Sequence, residues 1–166
     1  MPYQSFLELD AWKLGRQFKL QVYDVLKGFP EIERFGLSSQ LRRAVRSIPA
    51  NIAEGHGRRT KKDQNNFCTI TRGSHAEVLN HLIDAYDCAY ISREELCSLK
   101  AQWDILGKTL NAYMRFLQSK IPNKRKDGAS GTDINEDAVP YHYLPESKSA
   151  HEHFLQVLNS QHDRIN

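Results

Sequence analysis

Between residues 96 and 117 the apolar side chains Leu96, Leu99, Trp103, Leu106, Leu110, Tyr113 and Leu117 recur at alternating steps of three and four. Only an α-helix gathers that spacing onto one stripe, since a strand needs a period of two. An unbroken heptad over three repeats packs at the shallow angle of a left-handed bundle, so long antiparallel helices are expected rather than steeply crossed ones. Ser92-Arg93-Glu94-Glu95 just ahead of the run reads as a capping box that opens this helix.

Such a stripe needs partners, and three more helical patterns precede it. Asp10 is a good N-cap for a first helix with Ala11, Leu14, Phe18, Val22, Val25 and Phe29 on one side, ended by Gly28 and Pro30. A second begins after Gly36, with Ser38 or Ser39 as its cap. It carries Leu41, Val45, Ile48 and Ile52 until Gly55 and Gly57 stop it. Pro49 lies inside this run and predicts a kink or a split, because its ring removes one backbone donor and crowds the carbonyl four residues earlier. Thr60 and Asp63 form a capping pair for a third helix. Its stripe is Phe67, Thr71, Ser74, Val78, Leu82, Ala85 and Ala89, and Gly73-Ser74 in its middle mark a close helix approach.

The connections at 28–36, 55–59 and 90–92 are short, which favours antiparallel neighbours. The expectation is an all-α, antiparallel up-down-up-down four-helix bundle over residues 1–120 with a C-terminal extension, 121–166. Pro122, the basic triplet 124–126 and the Asp127-Gly128-Ala129-Ser130-Gly131 run describe a linker, with an amphipathic helix over about Ser149 to Leu158. No stretch approaches the roughly 18 apolar residues that span a bilayer, and the first residues lack a signal peptide's basic and apolar regions, so a cytoplasmic chain with no membrane partner is expected. Cys68, Cys88 and Cys97 have no metal or disulfide spacing and read as small buried apolar residues.

Charge is distributed unevenly. Residues 34–72 hold nine cations (Arg34, Arg42, Arg43, Arg46, Arg58, Arg59, Lys61, Lys62, Arg72) against Glu54 and Asp63, a local +7 in a chain of net charge +3, so the remainder carries −4. Clustered cations attract phosphate or acidic protein. Arg42 and Arg46 stand one turn apart on a flank of the second helix, with Arg43 on its solvent side, and Arg58 to Lys62 add four cations at the adjoining helix end. The same residues also suit a solvated face or acids on neighbouring subunits. Trp12 and Tyr23 fall off the apolar stripe of the first helix and point to a second contact surface, more for subunit packing than for a ligand.

Catalytic patterns are missing by comparison. A di-iron bundle needs Glu-x-x-His on two helices, whereas Glu77 and His81 are four apart with no second copy. Ser74 and His75 are helix neighbours about 100° apart with no positioned base, and Gly55-His56-Gly57 lacks the strand and the further glycines of a phosphate loop. His151-Glu152-His153 reads as a solvated run, and Glu94-Glu95 suit a helix N-terminus without chemistry. No catalytic residue, metal site or cofactor is assigned, and no sequence-reading nucleic-acid motif is present.

The segment Phe35-Gly36-Leu37-Ser38-Ser39-Gln40-Leu41-Arg42-Arg43-Ala44-Val45-Arg46-Ser47-Ile48-Pro49-Ala50-Asn51-Ile52-Ala53-Glu54-Gly55 closely resembles the signature of the 23S rRNA intervening-sequence proteins of bacteria. The resemblance extends back through Phe6, Leu9, Trp12 and Phe29-Pro30-x-x-Glu33, and forward through Phe67, Gly73-Ser74, Glu77 and Leu82 to Tyr90-Ile91, covering about residues 5–118. It implies an up-down bundle, a ring-like homopentamer, and kinship with the accessory variability proteins of diversity-generating retroelements, which are nucleic-acid-binding partners of a reverse transcriptase. Its motif points to Arg42, Arg43, Ser47, Pro49, Asn51, Glu54 and Gly55, with Asn51 and Glu54 expected to bond backbone freed by Pro49 or a neighbour's arginine. Two readings follow: a non-catalytic oligomer that binds RNA or DNA backbone through Arg42, Arg43, Arg46, Arg58, Arg59, Lys61 and Lys62, or an adaptor whose basic helix joins subunits or meets an acidic protein.

Overall fold

A computed structural model describes residues 5–122 and Gln156. Apart from Ile121, Pro122 and Gln156, the expected linker and the short helix near Ser149 lie outside the described residues, as does the His151-Glu152-His153 run. The described chain is all-α, with four helices: α1 Asp10–Val25, α2 Leu37–His56, α3 Lys61–Asp87 and α4 Arg93–Ser119. Short 3-10 turns, Phe6–Glu8, Leu26–Gly28 and Glu31–Glu33, flank α1 or lead into α2.

Two of the expected caps form. Ser92 and Glu95 make the reciprocal capping box of α4, and the Thr60 hydroxyl oxygen accepts from the Asp63 amide at 3.0 Å to open α3. The other two differ. Asp10 is the first residue of α1 rather than its cap, where its charge suits the positive end of the helix and it pairs with Lys13 at 3.5 Å. Ser38 is buried inside α2 and neither serine caps it. Gly36 is the N-cap, and the Glu33 carboxylate accepts from the Leu37 amide at 2.8 Å. The Tyr90 hydroxyl donates to the other Glu33 oxygen at 3.0 Å, and that bond raises the Tyr90 phenol above its ordinary range. Phe29 packs on Tyr90 with ring centroids 5.5 Å apart, so the α1–α2 and α3–α4 connections are tied together at one end of the bundle.

Contacts fix the directions of neighbouring helices. Arg43 with Glu77, Ser47 with Ser74 and Gly55 with Phe67 set α2 and α3 antiparallel. His75 with Trp103 and Cys68 with Met114 do the same for α3 and α4. Gly15 beside Ile48 and Tyr23 beside Arg42 do it for α1 and α2. α1 also packs on α4. One core results, and Phe18, Val22, Leu41, Val45, Ile48, Ile52, Val78, Leu82, Leu96 and Leu106 are almost wholly removed from water.

The stripes of α2 and α4 are buried as expected, except that Met114 rather than Tyr113 completes the α4 seam. α3 departs more. Gln64, Cys68 and His75 are buried on it, Phe67 is half-buried, and Ala89 lies beyond its end, exposed in the left-handed region at φ 56°. There Ala89 donates to the Tyr86 carbonyl at 2.9 Å and Tyr90 to that of Ala85 at 2.8 Å, the paired bonds of a Schellman closure. Of the cysteines only Cys68 is buried, and burial pushes its thiol up to about 11; Cys97 is half-buried and Cys88 exposed.

α3 and α4 are joined by a reciprocal lock. The His75 and Trp103 rings stack at 4.1 Å, the indole N–H donates to the His75 carbonyl at 2.7 Å, and the imidazole Nε2 meets the Trp103 carbonyl at 2.8 Å. A carbonyl only accepts, so Nε2 carries the hydrogen. Gly107 leaves the room: a Cβ there would lie 2.9 Å from His75 Cε1.

The glycine of closest approach between α2 and α3 is also misassigned by sequence. Gly73 is exposed and a Cβ added to it meets nothing within 4 Å, so it marks no close approach; Ser74 beside it does, being buried against α2. Gly55 does not stop α2, which continues to His56. It is buried, and a Cβ there would lie 2.7 Å from Phe67 Cβ and 3.3 Å from the Gln64 carbonyl oxygen. Opposite effects of one substitution follow. Gly73→Ala should raise stability by about 0.5–1 kcal/mol through helix propensity and a less flexible unfolded chain. Gly55→Ala should lower it by roughly 1–3 kcal/mol, because a backbone oxygen and a Cβ cannot give way without spreading the helices. Urea titration of both variants checks the signs.

Candidate functional site

The resemblance motif on α2 is largely explained by packing. Pro49 does not split α2, which runs through it unbroken. It is buried and faces Gly15 of α1, where a Cβ would stand 3.8 Å from Pro49 Cβ and 3.1 Å from Ile48 Cγ2. The Asn51 amide donates to the Ser47 carbonyl at 2.8 Å and to the Ser47 hydroxyl at 2.7 Å, and the Ser74 hydroxyl donates to the same Ser47 oxygen at 2.8 Å. Asn51 therefore serves Ser47, not the Val45 carbonyl that Pro49 leaves without its amide partner. Glu54 pairs with Arg58 of its own chain at 2.5 Å. These groups make a polar seam between α2 and α3 and reinforce one helix end.

The seven cations predicted to bind phosphate fall into two groups. Arg42, Arg43 and Arg46 lie on α2, and Arg58, Arg59, Lys61 and Lys62 lie in the α2–α3 turn and at the start of α3. In the first group Arg43 is exposed but pairs with Glu77 of α3 at 3.0 Å, while Arg42 turns the other way, its guanidinium 5.8 Å from the Tyr23 ring centroid of α1. Arg46 is exposed and makes no ion pair among the described residues. In the second group Arg58 is held by Glu54 and lies 4.6 Å over the Phe67 ring, Lys61 donates to Gln64 at 3.2 Å, and Arg59 and Lys62 are exposed. Exposed ion pairs of this kind hold little energy and leave both partners open to exchange with phosphate.

Sequence reasoning placed Trp12 and Tyr23 on a second surface but missed the cations between them. Trp12, Arg16, Lys19 and Tyr23 follow at helical steps of four, three and four, the spacing of a stripe, and this is the flank of α1 that meets Arg42. Lys19 Nζ lies 5.9 Å from the Tyr23 centroid, within the same range as Arg42. Trp12 is half-buried with Phe6 edge-on at 5.2 Å. The signal was present in the spacing; which flank of α1 adjoins α2 was not.

Glu77 and His81 form a polar network rather than a ligand pair: Glu77 holds Arg43, and His81 lies 3.6 Å from Glu77 and 3.4 Å from Asp84. Among the described residues no group of three or more His, Cys, Asp or Glu side chains could hold a metal ion, and no helix is long and apolar enough to cross a membrane.

The chain matches, over residues 7–112, the model of a family described as 23S rRNA-intervening sequence protein. It is similar in fold to the crystal structure of a protein with unknown function from the S23 ribosomal protein family of Bacteroides thetaiotaomicron, at 24% identity and a TM-score of 0.59, over 63% of this chain and 98% of that one. No curated protein matches it.

Proposed function

From the premise that the chain belongs to the 23S rRNA-intervening sequence protein family, we propose that it is a non-catalytic, oligomeric helical scaffold that binds the backbone of RNA or DNA through the cations of α2 and the α2–α3 turn. The observation that carries this reading is the charge: a local +7 over residues 34–72, in which Arg42, Arg46, Arg59 and Lys62 reach solvent without an acid to neutralise them among the described residues. Binding of this kind releases counterions and is sequence-independent, which suits a surface with no base-reading element. The ring of five subunits and the cytoplasmic, bacterial setting belong to the same proposal through the family resemblance.

In filter binding at low salt the protein should retain a short RNA or DNA. The Arg42→Ala/Arg43→Ala/Arg46→Ala variant should bind at least tenfold more weakly, with the salt slope smaller by about 2 for three lost contacts to a single strand. Unchanged binding by the variant, or no affinity in the wild type, sinks the reading.

The second reading is an adaptor whose basic helix joins subunits or meets an acidic partner such as a reverse transcriptase. Exposed large apolar side chains favour self-association: Leu20, Ile70, Ile105 and Phe116 each keep about half or more of their surface in water, and Ile32 and Phe35 keep 86%. Under this reading the same triple variant lowers the light-scattering mass measured in line with chromatography, and added RNA leaves the wild-type mass unchanged.

A further inference from the structure

Resting on the nucleic-acid reading, we infer that the bound form is single-stranded and that it lies along the seam between α1 and α2, with bases stacked on Tyr23 and Trp12 and phosphates held by Arg16, Lys19, Arg42 and Arg46. α1 contributes four of the six residues of this strip, which the basic α2 reading does not include.

The register of the two helices places the six residues together. Gly15 faces Ile48 and Pro49, and Tyr23 faces Arg42, so Lys19, one turn before Tyr23, is level with Arg46, one turn after Arg42. Arg16 and Arg46 are exposed and Lys19 half-buried. The acids of these two helices are engaged elsewhere: Asp10 pairs with Lys13, Asp24 with Lys27 at 2.6 Å, and Glu54 with Arg58. Arg16, Lys19, Arg42 and Arg46 thus share a strip in which none of the four is ion-paired to an acid among the described residues. Trp12 and Tyr23 bound it, eleven residues apart, about 16 Å along α1.

A row of cations with aromatic rings at intervals is the chemistry of single-strand binding, since the cations follow the backbone while each base offers a π-face to a ring. A duplex hides those faces in its stack, and the seam has no helix free to enter a groove. A two-fold contact with a second copy would set four cations against four. Of the apolar side chains that a subunit contact would bury first, Ile70, Ile105 and Phe116 belong to α3 and α4, whereas Leu20 lies one turn after Arg16 at the border of the strip.

Trp12 and Trp103 are the two tryptophans, so Trp103→Phe leaves Trp12 as the reporter. In the full chain with that background, oligo(U) or oligo(dT) should quench Trp12 fluorescence, and a duplex of equal length should not. Tyr23→Leu should weaken single-strand binding by roughly tenfold, Tyr23→Phe should restore it, and Lys19→Gln should lower the salt slope by about 0.7. Equal quenching by duplex, or binding without quenching and without loss in Tyr23→Leu, overturns this inference and leaves backbone binding intact. No binding of either strand form to the wild type overturns both. A fall in light-scattering mass for Tyr23→Leu at unchanged affinity makes the strip a subunit contact and also overturns it.

Discussion

Trp103→Ala should destabilise the bundle by about 4 kcal/mol, the middle of the range for removing a buried tryptophan. The indole is nearly buried, stacks on His75 and donates to the His75 carbonyl, so the substitution opens a cavity at the α3–α4 contact and removes one half of the reciprocal lock. Lys100 loses a ring 4.9 Å away, although its pairing with Asp104 at 2.7 Å holds it in place. With a urea dependence of about 2 kcal/mol per molar, the unfolding midpoint should fall by about 2 M. Trp103→Phe keeps most of the apolar volume and should cost only about 1–2 kcal/mol for the lost hydrogen bond and the smaller ring. A loss below about 1 kcal/mol for the alanine variant would mean that the lock contributes little.

The second large effect is a loss of stability in mild acid. Burial holds His75 far below its ordinary 6.5, at about 4, against the opposing pull of its bond to the Trp103 carbonyl and of Asp104. The unfolded chain therefore takes up a proton near pH 6.5 that the folded chain refuses until about pH 4. Unfolded protein binds more protons throughout that window, so stability is whole above pH 6.5 and declines as pH falls toward 4, by about 3 kcal/mol from this group alone. Below pH 4 both states are protonated and His75 adds no further dependence. Urea midpoints between pH 7 and 4.5 should fall steeply for the wild type and more gently for His75→Gln, whose amide can still donate to the Trp103 carbonyl. Parallel curves for the two proteins would remove His75 as the cause.

Helices could be read from the sequence where the signal is local. The α4 heptad, the Ser92–Glu95 box, the Thr60–Asp63 pair and the apolar face of α2 all depend on residues within a few turns of one another. α3 was read less well, because it packs on both α2 and α4 and buries a wide arc that takes in Gln64, Cys68 and His75 beside the expected Thr71 and Ser74. Polar residues such as Gln64 and His75 look like solvent face until a partner is seen: Gln64 donates to the Arg58 carbonyl at 3.0 Å, and the His75 imidazole meets the Trp103 carbonyl at 2.8 Å. For the site, the excess of cations and the positions of Trp12 and Tyr23 were legible. The separation of Arg43, paired across to α3, from Arg42, turned to α1, was not.

By itself the sequence determined that four amphipathic helices with short links and a basic second member lie within residues 1–120, because periodicity, caps and charge are properties of contiguous residues. Only the tertiary structure decided what each side chain meets. It made Gly55, Gly15 and Gly107 points of contact and Gly73 a free surface position, turned His75 into half of a lock, and brought Lys19 level with Arg46. Those outcomes depend on the axial register between helices tens of residues apart, and one turn of slip, about 5.4 Å, would exchange every partner while leaving each helix unchanged.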